Sequence, residues 1–328
     1  MTKPPAESRK PGHGDRLIPR LIGGPLREVM RVLVQVDEPA DSLAARSLAL
    51  SPNDHSFLGL LAREPWLATA ELAAILDWPP QKVRLHRSRL VRLGLLCRLE
   101  LAEIGDREER SLVEATLDGL RMVAAHEGLS LARAVEHLGL TGGGREHAIG
   151  SRGALLRRFK HTRGLAIVLA DLYRSASVLR ARGEDDRVVE WRNAQAAARR
   201  SVRPDGHVAY RHRGHVYGAF VEYDRATMRL RDYRKKLLAY AEHLERDRHS
   251  RDYVGFPTIL FLTLNAQAEE RIVTTARLNQ VESRLSLPIL VTHLWRPGED
   301  PTGPRGLLGP IWRKVGWEGD RRDYWLLP

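Results

Sequence analysis

The sequence predicts an α/β (α+β) protein in two parts: a compact helical domain, then a larger domain with helices packed on a mixed sheet. Three observations lead there. Between Asp54 and Gly128 apolar residues recur at helical spacing. From Lys160 onward the order reads helix, strands, helix, strand, helix, strand. TILFLTL at 258–264 and PILVTHL at 288–294 are continuous apolar runs of strand length, as expected of strands covered on both faces.

In the first domain Asp54 is expected to cap a helix carrying Phe57, Leu58 and Leu61, and Thr69 to cap a second over 68–78. Pro79-Pro80 breaks the chain and opens a third helix, QKVRLHRSRLVRLGLL, 81–96. Val83, Leu90 and Leu93 face inward on this reading, and Lys82, Arg84, Arg89 and Arg92 lie on or near the outer face. LLCRLELAEI and the charged turn GDREER follow, then SLVEATLDGLRMVAAH. In the second domain a long helix runs from about Lys160 to Arg182, stopped by GEDD, and another from about Val188 to Arg200. Strands at 206–211 and 215–224 turn at 212–214. The helix after them, about Ala226 to Arg246, carries an apolar face of Leu230, Tyr233, Leu237, Tyr240 and Leu244, and a last helix covers 267–285. Trp312, Trp317 and Trp325 are expected to dock the C-terminal segment.

Charge points to the partner. Lys and Arg number 53 against 41 Asp and Glu, a net charge of +12 over 328 residues, and the arginines predominate. Guanidinium groups suit phosphate oxygens, so a polyanion is the first partner to consider; an arginine-rich proteome is the other source of such a composition. No apolar run is long enough to span a bilayer, and the N-terminal stretch lacks the apolar core of a signal peptide, so the expected location is the cytoplasm, away from membrane. Cys97, the single cysteine, excludes an internal disulfide and any multi-cysteine zinc site.

The chemistry is expected at FVEYDRAT, 220–227. Residues i and i+2 of a strand share a face, so Glu222 and Asp224 point together and Tyr223 points away. In the hairpin Asp205 and Glu222 stand equally far from the turn. Three carboxylates at one sheet end repel unless a cation joins them, and hard oxygen ligands suit Mg²⁺ or Mn²⁺. Arg225 and Arg229 are candidate cations, and so is Lys236 on the flank of the next helix, whereas Lys235 points to solvent. His207, His212 and His215 surround the hairpin, either as metal ligands or as exposed turn and edge residues. Glu190, expected on the helix before Asp205, is a candidate outer acid, and His161 belongs to a basic cluster suited to phosphate or solvent.

Three helices, a hairpin with a charged tip and a closing helix that starts ATLDGLRMVA resemble a winged helix-turn-helix domain. The resemblance implies that the third helix enters the DNA major groove, with Gln81, Lys82, Arg84, Ser88, Arg89 and Arg92 meeting DNA; Arg87 departs from the leucine common at its place. Pro204-Asp205, the hairpin and Glu222-Tyr223-Asp224 resemble the PD-(D/E)xK restriction-endonuclease-like fold. Over about 54–295 the chain resembles the replication-relaxation family still more closely, through the RPDG turn, the block Glu222, Asp224, Arg225 and Thr227, and the helix with Lys236 and Tyr240.

These resemblances imply Asp205, Glu222, Asp224 and Lys236 as catalytic residues, the three acids also as metal ligands, and Mg²⁺ as cofactor if the domain is catalytic. Asp224 stands where nucleases of this fold carry a lysine. The domains expected are a disordered basic tail over 1–45, a winged helix-turn-helix domain over 46–130, a Gly-rich basic linker over 131–160, an endonuclease-like domain over 161–296 and a Trp/Pro-rich tail over 297–328. The implied function is a DNA-binding replication-relaxation-type protein acting on plasmid or mobile-element DNA, its endonuclease-like domain a degenerate binding surface, with double-stranded DNA and replication or conjugation proteins as partners. A Mg²⁺-dependent nuclease or nickase, and a winged-helix transcriptional regulator with a non-catalytic second domain, are the alternatives.

Overall fold

The computed structural model describes residues 43–98, 112–141, 159–199, 201–246, 252–253, 255–293, 306–317 and 319. The chain is α+β. Its first part holds α1 (Leu43–Leu48), α2 (Pro52–Arg63), α3 (Thr69–Leu76), α4 (Pro80–Arg92), strands β1 (Leu96–Arg98) and β2 (Val113–Ala115), α5 (Leu117–His126) and α6 (Leu131–Leu138). The second holds α7 (Phe159–Arg180), β3 (Arg187–Asn193), α8 (Ala194–Ala197), β4 (Gly206–His212), β5 (His215–Asp224), α9 (Leu230–Glu245), β6 (Thr258–Thr263), α10 (Ala266–Ser283), β7 (Ile289–His293), a 3₁₀ turn at Gly306–Leu308 and β8 (Arg313–Lys314).

In the first part β1 and β2 pair antiparallel, Leu96 opposite Ala115, behind a core of Phe57, Leu61, Leu72, Val83 and Leu90. The cap of α2 is Ser51 rather than Asp54: the Ser51 hydroxyl accepts from Asp54 N–H at 3.2 Å, and Asp54 accepts from Ser51 N–H at 2.9 Å. Thr69 is likewise the first helical residue of α3, whose cap position is Ala68; Glu71 accepts from the Ala68 N–H at 2.8 Å. Both errors shift a helix start because the carboxylate three residues inside the helix serves the cap. The expected boundary between tail and domain falls inside α1, whose Arg46 bonds Leu93 O at 3.1 Å and Asp118 at 2.8 Å. Helix α6 occupies the start of the expected 131–160 linker. Residues 1–42, the charged tip GDREER, residues 142–158 and Trp325 lie outside the described residues.

The second part is one six-stranded mixed sheet, β3-β4-β5-β6-β7-β8, with β5, β6 and β7 parallel and the other neighbours antiparallel. Helix α7 covers one face over Val208, Val221, Tyr223, Leu260 and Leu290. Helices α9 and α10 cover the other over Phe220, Ile259, Phe261, Ile289 and Val291. The hairpin turns at Arg213 and Gly214, both at positive φ (48° and 80°), with His212 opposite His215; such a two-residue turn fits the twist of its strands.

Three expectations are corrected here. Residues 187–193 form an edge strand, not a helix; Val188, Val189 and Trp191 favour the pleated edge of β4, and only Ala194–Ala197 keeps helical form. Leu230, the first residue of α9, is 57% exposed, while Tyr233 one turn on is buried. Trp312 is buried, but Trp317 is 43% exposed rather than packed into the body.

Gly164 sets how closely α7 approaches the sheet. A Cβ there would lie 2.1 Å from the ring of Tyr223 on β5. Gly164→Ala is therefore expected to lower stability by about 1–3 kcal/mol. Denaturant unfolding checks this, with Gly59→Ala, whose added carbon meets only the Arg63 guanidinium at 3.7 Å, expected to be neutral or stabilising.

Candidate functional site

Glu222 and Asp224 project from the end of β5 towards α9, with Tyr223 on the opposite face. Asp205 immediately precedes β4. Its N–H donates to Val221 O at 3.0 Å, and its Oδ2 accepts the Tyr223 N–H at 2.9 Å, so it continues the hairpin ladder beside Glu222. Its Oδ1 is 3.2 Å from His161 Nε2, on α7. Asp205 thus stands at the sheet rim, between the layers.

Helix α9 supplies the opposite wall. Tyr233, Lys236 and Tyr240 recur at i, i+3 and i+7 and share one face. Lys236 Nζ pairs with Glu222 Oε2, the Tyr240 hydroxyl donates to Glu222 Oε1, and the Tyr233 hydroxyl donates to Asp224 Oδ2. The Thr227 N–H donates to the other Asp224 oxygen at 3.3 Å. Among the described residues Arg225 and Arg229 form no ion pair with these acids, so Lys236 is their counter-charge. The oxygens of Asp205, Glu222 and Asp224 do not form a group lying mutually within 4.8 Å. Asp205 and Glu222 share Lys236, while Asp224 is held apart by Tyr233 and Thr227.

The electrostatics follow. Burial pushes Asp205 up, but His161, Lys236 and the Tyr223 N–H outweigh it and hold the carboxyl below its ordinary range. Burial raises Glu222 to about 7, against the pull of Lys236 and with a push from Asp205. Burial lowers Lys236, yet Glu222 and Asp205 outweigh it and raise it. Glu222, ordinarily near 4.5, binds its proton more tightly folded than unfolded. Its stabilising share is full below about pH 4.5 and is lost as pH rises through about 7. Glu222→Gln is expected to gain stability relative to wild type across that window, by up to about 3 kcal/mol at about 1.4 kcal/mol per pH unit. Denaturant midpoints measured at intervals from pH 4.5 to 8 check this, and the difference cancels the opposing slope of His207, which burial and neighbouring arginines depress to about 3.

His161, expected in a basic cluster, instead addresses Asp205 and lies tilted against Tyr223, ring centroids 5.5 Å apart. The only cue was that the long helix begins there. Glu190 lies on β3 and pairs with Arg192 at 2.8 Å, so it is not a helical outer acid. His207 and His212 are buried, against the expectation of exposed edge residues; only His215 is exposed. His207 packs under Phe220 and Tyr253 while His212 bonds Asp186, so the three imidazoles do not converge.

The basic helix α4 presents Gln81, Arg84, Ser88 and Arg92 outward, together with Leu85, which is 64% exposed and was not anticipated. Two expected members differ. Arg89 turns in to Asp54 at 3.2 Å and to Ala49 O, because Asp54, fully buried, also holds His86 at 2.7 Å and needs cations. Lys82 lies over the Trp78 ring, 4.0 Å from its centroid. Arg87 is half-buried and bonds Thr69 at 3.0 Å, which accommodates its departure from leucine.

No helix among the described residues is long and apolar enough to cross a membrane. No curated protein and no solved structure matches the chain. A family model described as replication-relaxation matches residues 58–259, a span that runs from α2 past the acidic end of β5 and the whole of α9. The match covers more than half of the 328 residues and supports a replication-related function: the chain belongs to the replication-relaxation family.

Proposed function

We propose that this protein binds double-stranded DNA through α4 of a winged-helix domain and acts on the phosphodiester backbone of plasmid or mobile-element DNA at Asp205, Glu222 and Lys236. One observation carries the proposal: Lys236, from a helix, meets Glu222 and acts on Asp205, supplying the cation that Asp224 displaces from the strand. Asp205 and Glu222 suit a Mg²⁺ ion. Asp205 is held below its ordinary range by His161 and Lys236, and burial raises Glu222, which a bound cation would oppose. Bound there, Mg²⁺ would polarise a phosphoryl oxygen and acidify a water. Lys236 offsets charge on the phosphate, Asp205 orients His161, and Asp224, held by Tyr233, fixes the end of α9 rather than serving as a ligand. A second reading, a non-catalytic DNA-binding surface, is favoured by the completed ion pair between Lys236 and Glu222.

A plasmid-form assay with and without Mg²⁺ or Mn²⁺ separates the two: metal-dependent nicking or linearisation supports the first, and binding without cleavage supports the second. DNA affinity should fall steeply with salt, because each phosphate contact releases counterions. Arg84→Ala and Arg92→Ala are each expected to reduce the slope of log K against log salt by about 1, whereas Arg89→Ala should act on stability instead. Fluorescence anisotropy at several salt concentrations, beside denaturant unfolding, checks that contrast.

A further inference from the structure

A second cluster of ligand-type side chains lies at the other end of the sheet. Strand β4 runs seven residues from Gly206, next to Asp205, to His212 at the hairpin, a distance of about 20 Å at ~3.3 Å per residue. Glu184 and Asp186, from the turn between α7 and β3, meet His212 there. One ligand atom from each of the three lies within 4.8 Å of the others. His212 Nδ1 is 3.0 and 3.1 Å from the two oxygens of Asp186, so it stands astride that carboxylate. The Asp186 side chain is fully buried and that of His212 is 7% exposed.

Asp186 also accepts the Tyr210 hydroxyl, and its hydrogen-bond partners among the described residues include neither arginine nor lysine. A carboxylate removed from water needs a positive charge beside it. An imidazole nitrogen over both oxygens of a buried carboxylate, with a second carboxylate in reach, is a donor set for a borderline transition-metal dication. We infer that Glu184, Asp186 and His212 bind such an ion, Zn²⁺ foremost and Mn²⁺ next. Mg²⁺, which prefers oxygen donors and retains its waters, fits poorly. Tyr210 then steadies Asp186 from outside the coordination sphere. The ion ties the turn after α7 to the tip of the β4–β5 hairpin, far from the acids at 205 and 222.

The test uses the full chain carrying Asp205→Asn and Glu222→Gln, so that the other acids contribute nothing. After treatment with chelator and dialysis, Zn²⁺, Mn²⁺ and Mg²⁺ are titrated separately by calorimetry, with thermal unfolding in parallel. The expected result is one saturable equivalent of Zn²⁺, a higher Tm with Zn²⁺, and little response to Mg²⁺. Glu184→Gln, at a partly exposed position, and His212→Gln should each weaken the Zn²⁺ equivalent at least about tenfold. The absence of a saturable equivalent would indicate that the hydrogen bonds from Tyr210 and His212 alone hold Asp186, and would overturn the inference. So would binding that survives Glu184→Gln, or Mg²⁺ matching Zn²⁺.

Discussion

Glu222→Gln is expected to abolish metal-dependent strand cleavage of supercoiled plasmid while leaving the protein folded, and Lys236→Met to reduce it about 10²–10³-fold, the cost of removing one group that stabilises developing charge. The contrast with stability makes this result diagnostic. Glu222 is buried among Lys236, Tyr240 and the sheet, and its ionised form is disfavoured there. A neutral amide of the same shape therefore suits the folded state as well or better at pH 7. A non-catalytic ion pair would leave no cleavage to lose, whereas a Tm that falls in Lys236→Met, as Glu222 loses its counter-charge, is expected on either reading. Agarose-gel conversion of plasmid forms and calorimetric Tm, measured on the same preparations, distinguish them.

Arg163→Met should produce the largest loss of stability, about 3–5 kcal/mol, because it leaves a buried carboxylate without its partner. Arg163 reaches from α7 into the first part of the chain, donating to Glu71 Oε2 at 2.7 Å, to Glu71 Oε1 at 2.8 Å and to Trp66 O at 2.9 Å. Both side chains are close to fully buried, 10% and 8% exposed. Glu71 also accepts the cap N–H of Ala68, so Glu71→Gln preserves that bond and removes the charge. In the double variant Arg163→Met with Glu71→Gln, part of the loss should be recovered. Urea unfolding of the single and double variants measures it as a double-mutant cycle.

Much of the second part could be read from the chain itself. Phe220, Glu222 and Asp224 alternate with Val221 and Tyr223, so strand periodicity alone set Glu222 and Asp224 on one face, and the turn at 212–214 fixed the register that brings Asp205 alongside. Lys236 was legible as the flank of an amphipathic helix. What escaped was whatever depended on contacts between distant segments. Residues 187–193 are strand because β4 offers an edge to pair with, a fact absent from their own composition. Arg89 looked like an outward basic residue until Asp54, 35 positions earlier, needed a counter-charge. His161 looked like one member of a basic run because its partner, Asp205, lies across the layer that Gly164 allows α7 to approach.

His161 and Arg163 sit two residues apart on the first turn of α7, one addressed to the sheet rim and the other locked into the helical domain. That stretch of backbone therefore joins the two contacts within a single turn. If α4 seats itself on a duplex and the helical body rocks to follow the groove, Glu71 drags Arg163, and the imidazole beside Asp205 must swing with it. On the proposed function, the grip on nucleic acid and the posture of the acidic rim would then be linked through this one turn of helix.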